Sequence, residues 1–232
     1  MKMKAFGFAL LCVFAAVQGR STGAGSPSTP AQISDNPWVV HLRVATTDGQ
    51  GLLRTCVGSI VDVSWVLTSA SCLRNARFIW VRYGATDVVR PELVTESTTV
   101  RINPDYDEET GVNNVALISL NRVLEYTENI SSIDLADSST EAPTSGKLCG
   151  YGAVEGVPGE KLNCFNVGLD ANEDGSLIGS SEDGEATEFD LGAPLVSDDR
   201  QVGVLTSVAE GSAVFLNVAK YNDWISEVTR PQ

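Results

Sequence analysis

Histidine is nearly absent from this 232-residue chain, which holds only His41. Any chemistry that needs an imidazole base therefore has a single source. Basic residues are scarce as well: 16 Lys and Arg stand against 30 Asp and Glu, a formal net charge of −14. Nucleic acids and anionic membranes recruit basic patches, so a surface this acidic argues against both as partners. Long hydrophobic runs are missing too. The apolar run from Ala5 to Val17 is 13 residues long, short of the roughly 20 that span a bilayer. No repeat at a fixed period is visible.

What is present begins with a leader pattern. Lys2 and Lys4 precede the apolar run and small residues follow it, so residues 1–19 read as a signal peptide cleaved after Gly19. The Ser/Thr/Gly/Pro-rich stretch within residues 20–36 reads as a flexible segment, and residues 37–232 as one folded domain. Of the five cysteines, Cys12 lies in the leader; Cys56, Cys72, Cys149 and Cys164 remain. An even number in an oxidising compartment points to disulfides, with three pairings open. The separations of 16 and 15 residues are not the close Cys pairs that zinc prefers.

Short β-branched runs recur through the domain: Ser59–Val63, Trp65–Thr68, Phe78–Tyr83, Glu96–Ile102, Val115–Leu120, Lys147–Tyr151, Leu162–Val167, Pro194–Val196, Val202–Val208 and Ala213–Val218. Turn formers separate most of them, which predicts an all-β sandwich or barrel. Val218, Tyr221, Trp224, Ile225 and Val228 follow a helical period and predict a C-terminal helix.

Three motifs then stand in order. Cys56-Val57-Gly58-Ser59-Ile60 with Trp65 to Cys72, Asn114-Val115-Ala116-Leu117, and Phe189-Asp190-Leu191-Gly192-Ala193-Pro194-Leu195 resemble the three catalytic blocks of chymotrypsin-like serine proteases. The resemblance covers roughly residues 37 to 228 and is nearest to the inactive arthropod serine protease homologues. It implies a chymotrypsin-like double six-stranded β-barrel closed by a C-terminal α-helix. It also implies a Cys56–Cys72 bridge, which leaves Cys149 with Cys164 across a turn-rich hairpin. Each bridge closes a loop worth about 3 kcal/mol in the chain-entropy model.

By the same resemblance, Ser71 stands where the family has its histidine, Asn114 where it has its aspartate and Leu191 where it has its nucleophilic serine. Leu191 has no nucleophilic atom, Ser71 is no base at neutral pH, and Asn114 has no charge to stabilise an imidazolium. Phe189 replaces a glycine whose N–H faces the oxyanion, so that donor is altered as well. His41 falls on the first barrel strand, outside these positions, and reads as a strand histidine at or near the surface. Asp190 is retained. In active members it receives the amine freed by cleavage. Here Ile33-Ser34-Asp35-Asn36 replaces the usual start, with no Lys or Arg before Ile33, so Asp190 is left to pair differently or to stay solvated. Glu185 lies near the family's pocket-base position within an acidic stretch and reads as a solvated loop residue.

Asp170, Asn172 and Asp174 match the first part of a calcium-binding loop. The twelfth position is Ser181, with the carboxylate one residue late at Glu182, so an exposed acidic loop is expected. Asn129-Ile130-Ser131 is a glycosylation acceptor, predicted on the surface between the two barrels. The sequence asks for no cofactor and no metal. The function expected is that of a secreted, non-catalytic binding protein: a decoy, adaptor or cofactor in an extracellular proteolytic or immune pathway. Its partner would be an active protease, a protease substrate or an inhibitor. A secreted storage or structural glycoprotein is the alternative; a serine endopeptidase is a further one, by family label only.

Overall fold

The computed structural model of the chain describes residues 29–47 and 53–230. The predicted leader and residues 20–28 lie outside this range. Within it the chain is all-β, built as two sheets in succession.

The first strand, β1 (Thr29–Pro30), belongs to the second sheet. The first sheet holds β2 (Val39–Thr46), β3 (Leu53–Asp62), β4 (Trp65–Thr68), β5 (Ala76–Tyr83), β6 (Leu93–Ser97), β7 (Val100–Ile102) and β8 (Ala116–Ser119), in the order β6-β5-β2-β3-β4-β8-β7. Its two ends, β6 and β7, are separated only by Thr98 and Thr99. They form one bent strand that pairs with β5 on one side and β8 on the other, closing a six-stranded barrel. The interior is aliphatic, with Val40, Leu42, Val44, Ile60, Val66, Ile79, Val81 and Ile118 buried together. Between β4 and β5 lies the one-turn helix α1 (Ala70–Leu73). Its C-terminal carbonyls are satisfied by Arg54, whose Nη1 donates to Ser71, Cys72 and Arg74.

The second sheet holds β9 (Asp134–Leu135), β10 (Ser145–Gly150), β13 (Asn163–Ala171), β14 (Leu177–Ser180), β15 (Pro194–Ser197), β16 (Arg200–Ala209) and β17 (Ser212–Asn217). A small separate hairpin, β11 (Ala153–Val154) with β12 (Val157–Pro158), projects between β10 and β13. The path β13-β10-β15-β16-β17-β14 returns to β13, which closes a second barrel. The last helix, α2 (Asn222–Thr229), follows a short 3₁₀ turn over Val218–Tyr221. It lays Ile225 and Trp224 on Leu67, Leu117, Val204 and Leu216, a patch drawn from both barrels.

Both disulfides pair as the family resemblance implies: Cys56 with Cys72, and Cys149 with Cys164. The second joins directly opposed residues of β10 and β13. A buried hydrogen bond also crosses between the barrels, from Ser59 Oγ on β3 to Gln201 Oε1 on β16 at 2.6 Å.

One expectation needs correction here, and one match is now placed. Residues 29–36, placed in the flexible segment, are tied down: β1 pairs with β13, the Ala31 N–H donates to the Leu162 carbonyl, and Ile33 is buried. The apolar Ile33 side chain outweighs the polar composition around it. The calcium-loop match is the turn of a β-hairpin. Asp170 lies on β13 opposite Ile178, the Asn172 N–H donates to the Ser176 carbonyl, and the Asp174 carboxylate accepts from the Ser176 N–H and hydroxyl.

The Cys149–Cys164 bridge closes a loop of 15 residues. Its removal in a Cys149→Ala/Cys164→Ala variant is expected to lower the unfolding free energy by about 3 kcal/mol in urea titrations. An unchanged midpoint would show that the β10–β13 pairing alone holds this edge.

Candidate functional site

The cleft between the barrels is set by one turn. Thr187 caps a three-residue 3₁₀ helix, Glu188–Asp190, and Leu191 and Gly192 follow it. The Asp190 side chain is buried and accepts four hydrogen bonds. Oδ1 takes the Tyr151 and Gly152 N–H groups at 2.9 and 2.8 Å, and Oδ2 takes the Thr187 N–H and hydroxyl at 2.9 and 2.8 Å. All four donors are neutral. Burial raises the Asp190 pKa, and the bonds from Gly152, Thr187 and Tyr151 oppose that shift. Asp190 is thus neither solvated nor paired with an amine. Upstream of it in sequence, the Ile33 N–H is a peptide group donating to Thr86 Oγ1 at 3.1 Å.

The backbone after Asp190 bonds to both barrels. The Leu191 carbonyl accepts from the Val57 N–H of β3 at 2.9 Å, and the Gly192 N–H donates to the Leu205 carbonyl of β16 at 2.8 Å. Gly192 has a φ of 86°, and a Cβ there would sit 2.0 Å from Thr68 Oγ1 and 2.3 Å from the Val57 carbonyl oxygen. Only glycine fits this position. The Leu191 side chain, half-buried, packs against the cores of both barrels.

Ser71 and Asn114 meet beside this turn. Asn114 Oδ1 accepts from the Ser71 N–H at 2.8 Å, and Asn114 Nδ2 donates to Ser71 Oγ at 3.2 Å. The hydroxyls of Ser69 and Ser71 lie 3.1 Å apart. Asn113, with a φ of 56°, turns the chain so that Asn114 points inward. Leu191 is close to this pair: its carbonyl oxygen is 3.3 Å from the sulfur of Cys72, the residue after Ser71. Ser71 and Asn114 therefore meet as a hydroxyl and a carboxamide, and the residue next to Ser71, Cys72, brings the Leu191 backbone close to them. The Phe189 N–H is engaged by Thr187 Oγ1 at 3.3 Å.

The trypsin family model matches residues 26–225. This chain belongs to the trypsin family. Among curated relatives, trypsin alpha of Drosophila melanogaster is 26% identical over 234 residues, covering 90% of this chain and 87% of that protein. Trypsin II-P29 of Gallus gallus is 27% identical over 197 residues, covering 74% and 78%. Among solved structures, HL collagenase superposes with a TM-score of 0.80 at 24% identity, covering 88% of this chain and 98% of that one. A scabies mite inactivated protease paralogue, S-D1, gives 0.77 at 21%, covering 89% and 99%.

The remaining sequence-predicted residues of this trypsin-family chain are placed as follows. Glu185, half-exposed, lines a cavity of ≈ 380 Å³ with Glu182, Asp183, Glu210 and Phe165. Among the described residues no group of three or more His, Cys, Asp or Glu is arranged to hold a metal ion, and no helix is long and apolar enough to cross a membrane. Asn129 lies in the connection between the barrels, half-buried, its Nδ2 donating to Glu92 Oε2 at 2.8 Å. His41 corrects an expectation: it is buried, its ring edge-on to Tyr151 with centroids 5.2 Å apart. It lies in the interface between β2 and the Tyr151 strand end, which its place near the start of a barrel strand did not disclose. Arg43, two residues on along the strand, shares its face, and Arg82 joins them only through the β2–β5 pairing.

Burial, then Arg82, then Arg43 push the His41 pKa down from 6.5 to about 3. A depressed value means that the unfolded chain takes the proton first. The stability held by neutral His41 is present above pH 6.5 and is lost as pH falls toward 3. Asp190, with a raised pKa, has the opposite sign: its contribution is present at low pH and is lost as pH rises through its folded-state value. Melting temperatures between pH 7.5 and 4.5 should therefore fall less steeply in His41→Gln than in the wild type, and equal slopes would refute the assignment. A second expectation concerns the turn. Gly192→Ala should cost on the order of 4 kcal/mol in urea denaturation, from a left-handed backbone and a steric clash together, whereas a loss below about 1 kcal/mol would show that the turn yields easily.

Proposed function

We propose that this chain is a secreted, non-catalytic member of the trypsin family that works by binding another extracellular protein, as a decoy, adaptor or cofactor. One observation carries the reading. The Ser71–Asn114 pair is neutral and mutually hydrogen-bonded, and the neighbouring motif position is the aliphatic Leu191. Acyl transfer in this fold uses a base to take a proton from a nucleophile and donors to hold the oxyanion. Here the hydroxyl of Ser71 meets the Asn114 carboxamide and the Ser69 hydroxyl, neither of which is a base at neutral pH, and the Phe189 N–H serves as a helix-cap bond.

Further features support the reading. Asp190 is satisfied by donors of its own chain, so the turn holds its shape with the upstream residues in place. Two disulfides suit an oxidising, extracellular setting. The same fold occurs in scabies mite chains described as inactivated protease paralogues. A barrel pair that offers rigid loops without chemistry is a recognition scaffold.

The test is a peptide library presenting basic, acidic, aromatic and aliphatic residues before the bond, incubated with the purified protein and read by mass spectrometry. The expected outcome is no specific cleavage, with any turnover at or below the roughly 10³–10⁴-fold over water that a trypsin-like site keeps without its triad. Turnover at the rates of an active trypsin, abolished by Ser71→Ala, would overturn the proposal. In parallel, the native protein as bait in its own extracellular fluid should enrich a specific partner over heat-denatured bait. No enrichment would remove the binding half of the proposal.

A further inference from the structure

The register of the first barrel places two arginines together on its outer side. Arg82 on β5 is the cross-strand partner of His41 on β2, and Arg43 follows His41 by two residues on the same face. Arg82 Nη1 lies 3.3 Å from His41 Nδ1. His41, Arg43 and Arg82 line one side of an open cavity of ≈ 440 Å³; Val88, Val89 and Val94 line another.

Three features of this cavity call for a ligand. First, among the described residues no carboxylate makes an ion pair with Arg43 or Arg82, although acidic side chains outnumber basic ones almost two to one. Glu160, the acidic residue of the wall, is exposed and unpaired with them. Second, the two guanidinium groups repel one another in a partly dry setting. Burial and then Arg43 lower the pKa of Arg82, and burial first, then Arg82 and Arg43, keeps His41 neutral. An anion bridging them would relieve that repulsion through charge-assisted, bidentate bonds. Third, the rim is apolar and open. Val89 is 63% exposed and Val94 45%, and the neighbouring β11–β12 hairpin carries Val154 and Val157, each 59% exposed.

We propose that this cavity docks an acidic-apolar peptide segment of a partner protein. A Glu or Asp carboxylate is clamped between Arg43 and Arg82, and an apolar side chain next to it covers Val89 and Val94. The apolar rim favours a peptide over a sulfated sugar or a simple anion, whose hydration it would disrupt without return. In a chain of net charge −14 this local pair of positive charges also attracts an acidic partner to this face and helps to orient it. The cavity shares no wall residue with Ser71, Asn114 or Leu191. The inference therefore stands whether or not the chain is catalytic.

The probe is a fluorescein-labelled hexapeptide of alternating Glu and Leu, followed by anisotropy on the full folded protein. Its controls are the same peptide with Gln for Glu, the same with Ser for Leu, and sodium sulfate. The Glu-Leu peptide should bind, weaken as salt rises, and lose about tenfold or more in affinity with Arg43→Gln or Arg82→Gln. Val89→Glu, an exposed change that leaves the core untouched, should abolish binding while far-UV circular dichroism stays unchanged. This keeps the test decisive if an arginine variant fails to fold. Retention of affinity in Arg82→Gln and Val89→Glu, or equal binding of the Gln peptide, would overturn the proposal. So would absence of binding at millimolar peptide. Sulfate competing as well as the peptide, with the Ser control bound equally, would mean an adventitious ion only and would also overturn it.

Discussion

The Asp190 carboxylate is the constraint on which the inter-barrel architecture depends. Burial makes a charge with no cation costly and raises the Asp190 pKa, and hydrogen bonds to its lone pairs offset part of that cost. Four neutral donors meet the carboxylate, two from the Tyr151–Gly152 segment and two from Thr187. That requirement fixes the turn, and the turn fixes the barrels: Leu191 bonds to β3, Gly192 bonds to β16, and the Leu191 side chain seals the gap between both cores. Gly150 is held to glycine by the same group, since a Cβ there would sit 2.2 Å from Asp190 Oδ1.

The contents of the cleft are matched to one another. With a hydroxyl at position 71, a buried carboxylate at 114 would face no imidazolium. The carboxamide of Asn114 instead accepts from the Ser71 N–H and donates to its hydroxyl. The Ser71–Asn114 pair is thus neutral and hydrogen-bonded within itself, the arrangement on which the proposed non-catalytic role rests. Tyr151 joins this region to the arginine cavity. Its N–H caps Asp190, its ring edge meets His41, and its hydroxyl donates to the Ala85 carbonyl at 2.7 Å. The arginine cavity and the inter-barrel turn therefore rest on one packed wall.

Much of this was legible in the chain. The strand runs and the terminal helix follow from β-branched patterning and helical spacing, and both disulfide pairs from the resemblance to the protease family. What was not legible depended on register and on close packing. β14 reads as part of an acidic loop because Gly179 weakens the strand pattern. The fold needs that glycine, since a Cβ there would lie 2.5 Å from Val167 Cγ1 and 2.7 Å from Phe215 Cε2. The burial of His41 depends on Tyr151, about 110 residues away in sequence. Arg43 and Arg82 become neighbours only through the β2–β5 pairing, and no local pattern announces that contact. Ser71, Asn114 and Leu191 stood out because they sit in motif blocks that resemble those of the protease family. Their neutral hydrogen-bonded arrangement, and the turning of the Phe189 N–H to Thr187, required the structure.

The most direct measurement is intact-protein mass spectrometry after incubation with a fluorophosphonate that labels activated serines. An unreactive protein, with no adduct beyond that on denatured material, is the result predicted for a hydroxyl held by Asn114 without a base. A single stoichiometric adduct, mapped to Ser71 or Ser69 and lost on heat denaturation, would contradict the account and place working chemistry in this cleft.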